Sequence, residues 1–120
     1  KEHRVPLSDG ALEILQAVLP LRNPRQGDFI FSGQRRGKTL TDVALSKALH
    51  TAAGTKDVTV HGLRSTFRDW AAEETDFPRE VAEMALAHAI GDKVEAAYRR
   101  GDLFKKRQMI MKNWDDRLSQ

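Results

Sequence analysis

The side chains with the most chemistry to offer are His61, Arg64, His88 and Tyr98, the last being the chain's single tyrosine. His61 and Arg64 stand three apart in His61-Gly62-Leu63-Arg64, at the start of a predicted helix, so both project from nearly the same face. Such a pair can grip an anion. The guanidinium fork donates two parallel hydrogen bonds to phosphate or carboxylate, and a histidine one turn away adds a donor or exchanges a proton near neutral pH. His88 follows Val81, Met84 and Ala85 at helical spacing, before Gly91. It reads either as a core histidine with one nitrogen bonded to backbone or as a charged imidazole favoured by a helix C-terminus. Tyr98 sits on a short helical piece one turn after Val94, where a lone tyrosine commonly packs. As a nucleophile its phenol, with an ordinary pKa of about 10, needs nearby cations to stabilise the phenolate, and Arg99 and Arg100 adjoin it.

Helices must position these groups, and helical periodicity dominates the sequence. Leu12, Leu15, Val18 and Leu19 form one stripe, with Ser8 as N-cap and Pro20 as stop. Leu45, Ala48, Leu49 and Ala52 form a second, ending at Gly54. Leu63, Phe67, Trp70 and Ala71 mark the helix that carries His61 and Arg64. Val81, Met84, Ala85 and His88 share the face of a fourth, opened by Pro78 in its first turn. The last stripe is Leu103, Arg107, Ile110, Trp114 and Leu118, with Phe104 and Met111 beside it. Strand signals are confined to 4–7, 29–31 and 58–60. The expected fold class is therefore mainly α with a small β contribution, about six helical segments joined by short connections.

Composition bounds the reading. With 120 residues, 40% hydrophobic and 31% charged, the chain is expected to be one globular domain with an ordinary core. Cysteine is absent, which removes disulfides, thiolate metal sites and thiol nucleophiles and suits a reducing cytoplasm. No apolar run approaches the roughly 18 to 20 residues of a membrane span, and the opening Lys1-Glu2-His3-Arg4 is unlike a secretory signal. The start without Met reads as a piece of something longer. Charge is segregated: Arg22, Arg25, Arg35, Arg36 and Lys38 face only Asp28 in their stretch. Lys93, Arg99, Arg100, Lys105, Lys106, Arg107 and Lys112 outnumber Asp92, Glu95 and Asp102 in theirs. Between them Asp69, Glu73, Glu74, Asp76, Glu80 and Glu83 are opposed by Arg79. If folding brings the basic blocks to one face they form a footprint for phosphates; apart, each is a solvated surface. No H-E-x-x-H-like metal-ligand set is present, and no metal or cofactor is expected.

The order His61, Arg64, then His88 after 24 residues and Tyr98 after 10 more is far more specific than its parts. With Leu86-Ala87-His88 and Ala96-Ala97-Tyr98 it resembles the tyrosine recombinases, the phage integrase family. That family carries His-x-x-Arg on a helix, then a Leu-Gly-His-type motif, then the nucleophilic tyrosine. The text HGLRSTFRDWAAEETDFPREVAEMALAHAIGDKVEAAYRRGDLF looks like P4-type integrases of prophages and genomic islands, and the likeness runs from VPLS nearly to the end. Ala87 replaces the commoner glycine at a position read as needing a small residue. The resemblance implies a tyrosine-recombinase catalytic-domain-like helical fold truncated at its N-terminus, residues 1–120 being the C-terminal portion of a single catalytic domain. The family's upstream arginine, and the lysine of a β-hairpin preceding the VPLS-like segment, have no assigned counterpart, so this piece alone is not expected to be active.

What the resemblance implies for mechanism is site-specific recombination of double-stranded DNA attachment sites through a 3′-phosphotyrosyl link on Tyr98. Arg64 would hold the nonbridging oxygens, His88 would be a second phosphate donor and His61 would assist proton transfer from Tyr98, with the missing lysine protonating the leaving oxygen. Arg35, Arg36, Lys38, Arg99 and Arg100 are the expected DNA contacts. The implied setting is the bacterial cytoplasm at the nucleoid, away from membranes, with the full-length protein a homotetramer on DNA, accompanied where needed by DNA-bending proteins. The C-terminal helix either packs on its own domain or docks on a neighbouring protomer. The rival readings are a noncatalytic helical DNA-binding module and a degenerate integrase remnant.

Overall fold

The computed structural model describes residues 2–88 and 102–120, so Tyr98, Arg99 and Arg100, with Gly91 and the predicted short helix around Val94, lie outside the described residues. Along the chain come α1 (Asp9–Val18), 3-10 turns at Leu19–Leu21 and Pro24–Gln26, α2 (Asp42–Ala53), α3 (Val60–Glu74), α4 (Arg79–Ala85) and α5 (Phe104–Leu118). The fold is mainly helical, as the periodicity predicts. Among the described residues no helix is long and apolar enough to cross a membrane. Two compact units are distinguished: Glu13–Leu63, and Lys1–Leu12 together with Arg64–Gln120.

In the Glu13–Leu63 unit the helix boundaries follow from local hydrogen bonding. Thr41 caps α2, its Oγ1 accepting from the Ala44 N–H at 3.1 Å, and Gly54 ends it in a left-handed conformation at φ 74 that glycine adopts without penalty. Thr59 does for α3 what Thr41 does for α2, with Oγ1 accepting from the Gly62 N–H at 2.8 Å. This corrects one sequence expectation. Val58-Thr59-Val60 is β-branched and reads as a strand, but a threonine oxygen that satisfies an orphan N–H makes the run a helix start. The stretches 4–7 and 29–31 likewise form no strand, and among the described residues the pairing found is one antiparallel bridge, Ser32 with Thr39. Phe29, Ile30 and Phe31 are 37%, 56% and 47% exposed. No residue of α1 or α2 is buried.

The other unit contains the core. Phe67, Trp70 and Ala71 of α3, Val81 and Ala82 of α4 and Ile110 of α5 are buried together, flanked by Phe77, Ala85, Leu86, Leu103, Met111 and Trp114. The Trp114 ring meets Phe67 edge-on at 5.5 Å and Trp70 at 4.9 Å, arrangements that suit the aromatic quadrupole. The apolar stripe of α5 therefore packs within its own chain as far as Trp114, whereas Leu118 at its end is exposed. Leu63, expected on the inner face of α3, is exposed as well.

Arg107 departs from its sequence reading as a member of a basic surface block. It is 1% exposed, donates to the carbonyls of Arg4 and Asp102, and meets Asp102 Oδ2 at 3.4 Å. Arg4 closes the network, donating to both Asp102 oxygens at 3.1 Å while its guanidinium lies 4.4 Å from the centre of the Phe104 ring. Desolvation pushes the Asp102 carboxyl up, but the Arg4 hydrogen bond, a backbone bond and the charges of Arg4 and Arg107 prevail and hold it below the usual carboxylate range. A second tie joins the start of α1 to α5: the Gly10 N–H donates to Asp115 Oδ2 at 2.8 Å. A Cβ at Gly10 would stand 2.6 Å from Asp115 Oδ1, so a larger residue there would push the Asp115 carboxylate aside.

Candidate active site

His61 and Arg64 occupy the first two turns of α3, as their spacing predicts, and both are exposed. Arg64 reaches across to the turn that follows α4, its Nη2 donating to the carbonyl of Leu86. This bond uses one of the several donors of a guanidinium. Arg64 is thereby joined to the Leu86-Ala87-His88 motif 22 residues away in sequence.

His88 is not on the face of a helix with Val81 and Met84, contrary to the sequence expectation. α4 ends at Ala85, and the chain turns back at Ala87, which is left-handed at φ 58. The Ala87 N–H donates to the Met84 carbonyl at 3.1 Å and the His88 N–H to the Glu83 carbonyl at 2.9 Å. These two bonds form the Schellman closure that terminates helices at a left-handed residue. The small residue at position 87 thus serves backbone conformation: side chains disfavour positive φ, and larger or branched ones do so most.

The turn brings His88 onto Glu83. The imidazole Nδ1 lies 2.6 Å from Glu83 Oε2, and Arg68 Nε and Arg79 Nε lie 3.2 and 3.7 Å from Oε1. The Oε1 contacts are those of charge with charge, since no aligned hydrogen bond reaches this buried oxygen. Burial would raise the Glu83 carboxyl, yet the His88 hydrogen bond and the charges of Arg68, His88 and Arg79 outweigh it and set it below its ordinary value. In the sequence Glu83 reads only as part of an acidic block. Residues five apart lie on different faces of a continuous helix, so nothing in the spacing announces a contact that depends on reversal at Ala87.

Arg35, Arg36 and Lys38 belong to the Glu13–Leu63 unit and are exposed on one loop. The loop is closed at its base by Gly33 N–H to Lys38 carbonyl at 2.8 Å and Leu40 N–H to Phe31 carbonyl at 3.1 Å. Gly37, at φ 74, supplies its left-handed corner. The other basic residues of this block are not equivalent, since Arg22 is paired with Asp28 at 3.3 Å. Among the described residues no cluster of His, Cys, Asp or Glu is arranged to hold a metal ion.

The profile of the phage integrase family matches residues 1–103, a span that includes α1 to α4 and both motifs just described. The chain belongs to the phage integrase family. Among curated integrases it is 38% identical over 117 residues to Prophage integrase IntA of Escherichia coli K12, covering 97% of this chain and 28% of that protein. It is 28% identical over 121 residues to the Integrase of Shigella phage Sf6, covering all of this chain and 31% of that protein. Prophage integrase IntZ of Escherichia coli K12 is 30% identical over 118 residues, with 97% of this chain and 28% of that integrase covered. The chain thus spans less than a third of the length of these relatives. No solved structure gives a significant match.

Proposed function

We propose that the chain is the C-terminal part of the catalytic domain of a site-specific DNA recombinase that integrates a mobile element, with Tyr98 as nucleophile. The observation that carries this reading is the bond from Arg64 to the Leu86 carbonyl, which draws the His-x-x-Arg helix to the turn that holds His88. That link between two motifs distant in sequence, within a chain of the integrase family, supports reading Arg64 and His88 as donors to one phosphate.

The reaction is a phosphoryl exchange. Tyr98 Oη forms a bond to the scissile phosphorus, the bond to the 5′-oxygen breaks, and the product is a 3′-phosphotyrosyl link with a free 5′-hydroxyl. Arg64 binds nonbridging oxygens and stabilises the charge of the pentavalent state, His88 is a second donor to them, and His61 assists removal of the phenolic proton. The proton for the 5′-oxygen comes from an acid elsewhere in the full-length protein. Reversal on a partner strand rejoins the DNA, and because a phosphodiester is exchanged for a phosphodiester no nucleotide hydrolysis is needed. Duplex DNA bearing attachment sites is the substrate, and Arg35, Arg36 and Lys38, with Arg99 and Arg100, contact its phosphates. Recombination of two duplexes calls for a tetramer of the full-length protein, with accessory bending proteins where a site requires them.

The test is a trapped cleavage. Full-length protein is mixed with nicked attachment-site DNA and resolved by denaturing electrophoresis beside Tyr98→Phe. The expected result is an SDS-resistant protein–DNA adduct that the phenylalanine variant lacks. Tight binding with no adduct would instead identify a noncatalytic DNA-binding module or a degenerate integrase.

A further inference from the structure

We propose that Glu83 is a positioning residue for strand cleavage, acting through His88; the proposal rests on the recombinase reading of the site. Glu83 and His88 are joined twice, by the His88 N–H to the Glu83 carbonyl at 2.9 Å and by Nδ1 to Oε2 at 2.6 Å. The backbone bond places the Cα atoms, and the side-chain bond removes the rotation that the imidazole would otherwise keep.

The charges around Glu83 determine which ring nitrogen carries a proton. The carboxylate is 12% exposed and faces Arg68 from α3, Arg79 from its own helix and His88 from the turn beyond it. Two guanidinium groups on Oε1 favour the ionised form, and an ionised carboxylate can only accept. Nδ1 must therefore donate, and Nε2, on the opposite edge of the ring, is the nitrogen left for the substrate. A phosphate oxygen is also acceptor-only, so a ring bonded to both is doubly protonated, with its charge beside Glu83. Leu86, the residue that Arg64 holds, lies between Glu83 and His88 in the same turn. Glu83 thus orients one phosphate donor inside the turn to which the other is anchored.

Glu83→Gln tests this without changing side-chain size. Glutamine has one acceptor oxygen, for which Arg68, Arg79 and Nδ1 compete, and it has no charge to set beside an imidazolium. Full-length wild-type and variant proteins are compared in Tyr98 adduct formation, in affinity for uncleaved attachment-site DNA and in melting temperature, and the histidine nitrogens are observed by 15N-histidine NMR. The expected result is a wild-type His88 protonated at Nδ1. In the variant, cleavage falls about 10- to 100-fold, the range for removing the group behind a functional histidine at metal sites, while DNA affinity is retained and the melting temperature, lowered by the lost ion pairs, stays above the assay temperature. Glu83→Ala, which removes every acceptor, should cleave no faster than the glutamine variant; if alanine prevents folding, the glutamine variant alone decides. Cleavage at the wild-type rate, a loss accounted for by unfolding at the assay temperature or by weaker DNA binding, or a wild-type Nδ1 without its proton would each overturn the positioning role. A wild-type protein that forms no Tyr98 adduct fails differently: it removes the recombinase reading, and this proposal with it.

Discussion

Replacing Ala87 by glycine should stabilise the protein. Ala87 is held at φ 58 by the closure of α4, whose Ala87 and His88 N–H groups bond the Met84 and Glu83 carbonyls at 3.1 and 2.9 Å. A left-handed conformation costs an L-residue about 1–2 kcal/mol, and glycine escapes this. Glycine in turn loses more backbone entropy on folding, about 0.5–1 kcal/mol relative to alanine. The difference leaves a net gain of up to about 1.5 kcal/mol for Ala87→Gly. Ala87→Val acts in the opposite direction, because a β-branched side chain is least tolerated at positive φ. Urea denaturation of the three proteins measures both effects at an unchanged m-value. Ala87→Val should also slow Tyr98 adduct formation more than it weakens DNA binding, because the turn sets the position of His88 and Glu83. A glycine variant less stable than the parent, or a valine variant equal to it, would refute the conformational account of this residue.

Other consequences follow from the packing and the charges. Ile110→Ala, at a position with no exposure, should cost about 2–5 kcal/mol in urea denaturation, whereas Leu118→Ala, at 65% exposure, should change stability by no more than about 0.5 kcal/mol. Equal effects would mean that α5 packs on the core by another face. Glu83 and Asp102 both have folded-state pKa values depressed below their ordinary ones. Their contribution is therefore full above the unfolded carboxylate range, near about pH 4, and is lost as pH falls through the folded values. Glu83→Gln should lower stability at neutral pH and flatten the acid side of the stability–pH curve; an unaltered acid slope would contradict the pairing. Changing Arg35, Arg36 and Lys38 to alanine in the full-length protein should weaken binding to all duplex sequences alike. The slope of log K against log salt should become shallower by about 0.9 for every DNA phosphate that the variant leaves unneutralised, as read in a salt titration.

The helices and their ends were legible in the sequence because they depend on neighbours. Ser8 takes the Ala11 N–H at 3.3 Å, Gly54 ends α2, and Arg79–Ala85 follows Pro78, each a matter of one residue's hydrogen bonds or backbone freedom. The residue types of His61-x-x-Arg64 and Leu86-Ala87-His88 were equally plain, as was the absence of cysteine chemistry. Short apolar runs were less so. Val58-Thr59-Val60 suits a strand by composition and a helix start by its threonine, and hydrogen bonding at Gly62 chose the second. The contacts that give the motifs their arrangement came from tertiary structure: Arg64 on Leu86, Glu83 on His88, and Arg107 withdrawn from the surface to serve Arg4 and Asp102. A sequence states which groups a side chain has to offer, and periodicity states which of them share a face. Which group stands opposite depends on how α3, α4 and α5 bury Phe67, Val81 and Ile110 together, a collective packing condition that no local spacing encodes.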